Sequence, residues 1–204
     1  MRGSTSARTA TTNGLVDEKA PEVPAEAIDW VEKLHAVVDE AAAPVARANA
    51  SRLQCRAGCS ECCADGLTVF AIEAAVIRRH HASLLASGQP HPEGGCAFLD
   101  AEGRCRIYAS RPYVCRTQGL PLRWLEEDEL EDEIIESRDI CPKNTAGGPP
   151  LEKLEADECW TLGPFEQRLA DRQHGLDDGR GVRVALRSLF ASEPARRRLP
   201  LVSP

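Results

Sequence analysis

Aromatic residues are scarce in this 204-residue chain: three Trp, two Tyr and four Phe make up 4% of it. A core short of large rings must be built from Leu, Val, Ile and Ala, and it needs some further source of cohesion. Positive charge is also in short supply. Against 32 Asp and Glu there are 25 Lys and Arg, a formal charge of -7. That is the wrong sign for a general nucleic-acid binder, which must neutralise phosphate, so no nucleic-acid partner is expected. No apolar run approaches the about 20 residues of a membrane-spanning helix, so no membrane partner is expected. The opening stretch, MRGSTSARTATTNGLVDEKAPEVPAEA, lacks the apolar middle of a secretory signal. Its Ser, Thr and Arg bias has some transit-peptide character, interrupted by Asp17, Glu18 and Glu22. The expected compartment is the cytoplasm, where thiols stay reduced.

The pattern along the chain divides it into a polar tail over residues 1–25, a domain over 26–190 whose motif core is 52–145, and a C-terminal tail over 191–204. Ile28, Val31, Leu34 and Val38 recur at helical spacing opposite Asp29, Glu32, Lys33 and Glu40. Pro44 is expected to end or kink that helix. LTVF opens as an extended piece, and residues 71–87 read as a helix with Ile72, Val76 and Leu84 on one side and Gly88 beyond its end. QPHPEGG is a loop, and CAFLDAEGRCRIYASRPYVCRTQG reads as short turns. Residues 121–140, apolar at their flanks and acidic in the middle, suit a β-hairpin or a solvated helix, with an exposed charged surface the plainest reading of the acids. CPKNTAGGPP is a loop. Residues 161–174 form a helix, with Phe165 and Leu169 four apart and Gly175 as its stop. Val182, Leu186, Leu189 and Phe190 suggest a last amphipathic helix.

What is abundant is cysteine. There are nine, and four of them fall in CRAGCSECC, residues 55–63. An odd number suits a disulfide framework poorly, and a reducing compartment disfavours one. Thiolates bind zinc and iron strongly because the metal replaces the thiol proton. A spacing of three or four lets Cys55, Cys59 and either Cys62 or Cys63 converge on one ion. The neighbours Cys62 and Cys63 tend to diverge, so one ligates while the other packs, or they serve two metals, or one sulfur bridges a cluster. Cys96, Cys105, Cys115 and Cys141 follow. Eight thiolates suffice for two four-thiolate sites, but the sequence does not divide them. Cys159, beside Trp160, reads as a core residue.

Thiolate charge needs nearby donors. Arg104, Arg106, Arg111 and Arg116 lie beside the downstream cysteines, and Arg111 and Arg116, which flank Cys115, are the first candidates. Among the histidines, His91 is the one candidate for an extra ligand. His80 and His81 point in different directions from one helix, and His35 and His174 read as surface or rim residues.

CxxxCxxCC, the blocks Cys-x-Phe-Leu, Cys-x-Ile-Tyr and Arg-Pro-x-x-Cys-Arg, and a late Cys-Pro occur here in one order. That order resembles the YkgJ-type cysteine-cluster family, described as a zinc- or iron-chelating domain, over roughly residues 52–190. The resemblance implies a ligand set of Cys55, Cys59, Cys62, Cys63, Cys96, Cys105, Cys115 and Cys141, with Phe98, Leu99, Ile107 and Tyr108 packed around the centre. It also implies a hairpin between Arg116 and Cys141. The expected fold is α+β, a mainly helical small domain with a short β-hairpin, organised around a cysteine-rich metal centre. The expected function is metal binding, with zinc or iron as cofactor and an iron–sulfur cluster within its chemical range. Two other classes fit the same residues: an iron–sulfur redox or transfer enzyme, for which GLPLRW is a pocket-lining candidate, and a metal-stabilised protein-interaction module presenting the acids of 126–136. No Ser/His/Asp order or carboxylate pair points to a hydrolase, and no protein partner is identified.

Overall fold

The computed structural model describes residues 22–128 and 133–190; the expected tails lie almost wholly outside the described residues. Its elements run α1 (Ala25–Ala48), β1 (Thr68–Phe70), α2 (Ala71–Ser87), α3 (Tyr113–Arg116), β2 (Leu122–Asp128), β3 (Glu133–Asp139), β4 (Trp160–Thr161), α4 (Pro164–His174) and β5 (Arg183–Ala185), with short 3-10 turns between them and after β5. This is a small α+β domain in which helix outweighs strand. β2 and β3 form the hairpin expected from the resemblance, in antiparallel register from Leu122 opposite Asp139 to Asp128 opposite Glu133. β4 adds to β2 in parallel, and β1 pairs with β5 antiparallel.

α2 occupies the middle. Its residues 71–77 are buried without interruption. A helix apolar on more than one side must be covered on more than one side. On one flank Ile72 and Val76 pack with Val31, Leu34 and Val38 of α1 and with Tyr113, Trp160 and Leu169. On the other, Ala74, Ile77 and Leu85 pack with Phe98, Ile107, Leu186 and Phe190. Five of the few aromatic rings serve these two clusters. Trp160 stacks on Phe165 at 5.2 Å between centroids while its Nε1 donates to the Tyr113 hydroxyl at 2.9 Å, and Phe98 meets Phe190 at 5.0 Å.

The start of α2 is tied to the end of the domain by polar groups. Ile72 N donates to Gln173 Oε1 at 3.0 Å, and Gln173 Nε2 donates to Asp177 Oδ2 at 2.8 Å. Asp177 also accepts from Val182 N and Gly181 N. Burial raises the Asp177 pKa, but the hydrogen bonds from Val182, Gln173 and Gly181 outweigh it, leaving the carboxyl below the usual aspartate range.

Three expectations need correcting. Pro44 does not end α1, which continues to Ala48. Pro44 is exposed, and so is Glu40, whose carbonyl loses its helical partner to the proline, so water can satisfy it. The last apolar group does not form an α-helix. Residues 183–185 pair with β1 and 186–189 make a 3-10 turn. There, Val182 O accepts from Ala71 N and Leu186 N donates to Leu67 O, so bonds a helix would have closed internally are made across the chain. His35 is 3% exposed rather than on the rim, because residue 35 shares the stripe of Val31 and Val38. Its Nε2 stands 3.4 Å from Oε1 of buried Glu73, which also accepts from Tyr113 N at 2.8 Å.

Two measurements check this frame. Ile72→Ala opens a cavity at a fully buried point and should cost about 2–5 kcal/mol in chemical denaturation; a loss under about 1 kcal/mol would contradict the packing of α2 on α1. Because its folded pKa is depressed, Asp177 contributes stability above the unfolded carboxyl pKa of about 4, and loses it as pH falls through the folded value. Asp177→Asn should therefore lower the melting temperature at neutral pH and narrow its gap from the parent chain in acid. An equal gap at both pH values would refute the assignment.

Candidate metal centre

All nine cysteines are free thiols. They reach their places through short turns. In the first, Cys59 N donates to Arg56 O at 2.9 Å, with Gly58 at φ 84°, the left-handed conformation that a turn of this kind demands at its third position. In the next, Cys63 N donates to Ser60 O at 2.9 Å. The first turn lies against the turn before Cys105: a Cβ on Gly103 would stand 3.2 Å from Gly58 O.

One neighbourhood of sulfur lies against the apolar cluster that contains Phe98. Cys96 N donates to Cys63 O at 2.9 Å, Leu99 N donates to Cys96 O at 3.0 Å, and Leu99 bridges to Cys105. Cys63 and Cys105 pack against this cluster and Cys96 is part of it. Cys115 arrives on α3. Burial, then the charges of Cys96 and Cys105, pushes its thiol up to about 12. Burial likewise raises Cys96 and Cys105. Cys63 donates to the sulfur of Cys62, which lowers the Cys62 pKa and raises that of Cys63. Apolar surroundings that disfavour a bare thiolate make a cation welcome there.

The second neighbourhood is built on Asn144, which is fully buried. Its Nδ2 donates to Gly119 O at 2.8 Å and lies 3.5 Å from Cys55 Sγ, its Oδ1 accepts from Gln54 N at 2.9 Å, and its N donates to Cys141 O at 2.7 Å. One side chain thus joins the segments that carry Cys55 and Cys141 to the turn after Cys115. Gly119, at φ 92°, has no room for a side chain: a Cβ would stand 2.5 Å from Cys55 Sγ. Cys62, Gly119, Cys141 and Lys143 line one cleft of about 310 Å³. Lys143 pairs with Glu61 at 2.9 Å, which raises its pKa, and the Cys59 sulfur is also within range of its charge. Nearby, the buried Arg52 guanidinium donates to Pro149 O and packs against Gly148.

The arginines divide differently from expectation. Arg111 acts on Cys62 and Cys105, and its guanidinium sits 4.1 Å over the Tyr108 ring. Arg116 turns away to Asp39 and the Ala109 carbonyl, because the short helix α3 packs on α1. Arg104 is occupied by Asp100 and Glu102. Arg106, fixed to the Ala97 carbonyl at 2.8 Å, acts on Cys96 and Cys105. Arg187, not singled out in the sequence, donates to Gly95 O at 2.9 Å and also acts on Cys96. His91 supports this loop through backbone bonds to Ala97 and Arg187. Cys159 is buried beside Trp160, away from both neighbourhoods. As placed, no three Cys, His, Asp or Glu side chains among the described residues form a group that grips an ion. The sulfurs are gathered, not locked.

Residues 54–142 match the family model CxxCxxCC, described as "Putative zinc- or iron-chelating domain". This is the type of family that the order of motifs resembles, and the matched interval contains all eight clustered cysteines but not Cys159. The family name writes two residues in its first interval, where this chain has three, Arg56, Ala57 and Gly58. No curated protein and no solved structure matches the chain significantly.

Asn144→Ala leaves Gly119 O and Gln54 N without their partner, at a cost of about 1–3 kcal/mol for buried groups. Urea denaturation should show that loss, and an unchanged midpoint would mean that Asn144 does not brace the two segments.

Proposed function

With residues 54–142 matched by a zinc- or iron-chelating domain, we propose that this protein is a thiolate metal binder whose ligands are Cys55, Cys59, Cys62, Cys63, Cys96, Cys105, Cys115 and Cys141. The observation that supports the reading is the gathering of eight free thiols from separate segments, with Arg106, Arg111, Arg187 and Lys143 within range of their charge. The donor set suits zinc or iron: soft sulfur, no competing carboxylate shell, and guanidinium groups to offset the thiolate charge. Bound metal would hold together loops closed over long stretches of chain, which a core thin in aromatics fixes poorly. On this reading residues 26–190 are the unit organised by the metal, and the reducing cytoplasm is the compartment that keeps such thiols ready.

A second reading, an iron–sulfur redox or transfer enzyme, draws on one feature. The cleft beside Cys62 and Cys141 is open and is walled by Gly119, Leu120 and Leu122 of GLPLRW. A catalytic centre needs such access, whereas a structural zinc site is closed.

Anaerobic purification with elemental analysis and a visible spectrum separates the readings. Stoichiometric zinc in a colourless protein supports the scaffold. Thiolate-to-iron absorbance bleached by a reductant supports the iron centre. Neither metal above trace, in protein with nine titratable thiols, overturns both. Stripping the metal should expose residues 55–141 to protease, and undiminished resistance after complete removal would count against an organising role.

A further inference from the structure

We infer that the eight thiols form two separate four-thiolate sites, Cys63, Cys96, Cys105 and Cys115 at one and Cys55, Cys59, Cys62 and Cys141 at the other, with the boundary running between Cys62 and Cys63. This rests on the chelator reading and gives it a stoichiometry.

The division follows from where the chain puts each sulfur. Cys62 and Cys63 are adjacent but face different surroundings: Cys62 is exposed and lines the cleft with Cys141, while Cys63 packs against the apolar cluster containing Cys96. Cys63 is bound to Cys96 by a backbone bond, and Cys105 reaches the same place through Leu99. Cys115 is within range of the charges of Cys96 and Cys105. The other set surrounds Asn144 and Gly119. Cys55 Sγ meets both residues, Cys141 O accepts from Asn144 N, and Gly119 lines the cleft shared by Cys62 and Cys141. Cys59 belongs here through Lys143, whose charge it faces from the side of the same cleft.

Charge favours the same division. Four thiolates on a divalent ion carry two net negative charges, and two such sites side by side repel. Arg106 and Arg187 face the first set, Lys143 the second, and Arg111 acts on Cys62 and Cys105, one from each. A cation at the boundary offsets the repulsion between neighbouring sites.

The test uses the full chain, loaded with zinc and measured by elemental analysis. The parent should hold two ions. Cys96→Ser with Cys105→Ser should hold one, as should Cys55→Ser with Cys141→Ser, whereas Cys55→Ser with Cys96→Ser should hold none. If the parent binds no zinc, the chelator reading itself fails. If the parent holds one ion that both within-set pairs abolish, the chelator reading survives and the division is overturned. Alkylation with mass spectrometry covers the case in which variants do not fold. With one equivalent of zinc on the parent chain, each protected molecule should shield one whole set of four. Protected sets that mix members of the two would overturn the division.

Discussion

A helix with no outward face along its first two turns is the constraint from which the rest of this fold follows. Residues 71–77 of α2 are all buried, so something must cover two flanks at once. α1 with the Tyr113, Trp160 and Phe165 rings covers one, and the loop around Phe98 with the segment after β5 covers the other. The second cover has little regular structure of its own. It is drawn into place by contact with α2, and the thiols of Cys96 and Cys105 come with it, while Cys115 is brought up on α3 between the two flanks. The polar relay from Ile72 through Gln173 to Asp177 holds the end of the domain against the same helix.

The elements that could be read from the sequence were those whose signals are local. The α2 boundaries at Ala71 and Ser87 follow from apolar spacing and Gly88, and α4 follows from Phe165, Leu169 and Gly175. The hairpin needed the family resemblance, since an acidic middle with apolar flanks is as good a helix as a strand pair. What was misread depends on partners far along the chain. Val182, Leu186, Leu189 and Phe190 have helical spacing, but the free edge of Thr68–Phe70, over a hundred residues earlier, captures that segment. His35 looks like a rim residue until Glu73 arrives beside it from α2.

The site shows the same division. Cysteine clustering is visible in one dimension because so little else explains it. The residues that arrange the cysteines are not visible, because they act through space. Asn144 was quoted only as part of CPKN, and Gly119 only as part of GLPLRW, yet between them they touch Cys55, Gln54 and the Cys141 turn. Arg116 shows the opposite failure: next to a cysteine in sequence, it is used by α1 instead. Adjacency to a thiol says nothing about direction on a one-turn helix.

The closeness of Cys62 and Cys63 has a consequence for how such a molecule ages in air. Thiols held this near one another, once bare, are positioned to pair off as cystines rather than wait for a small-molecule oxidant to cap each of them. Eight is an even number, and Cys159, walled in beside Trp160, stands aside from the exchange. Oxidised protein would then keep the outline of the living one, stapled covalently along the same seams, while having given up the means to be refilled.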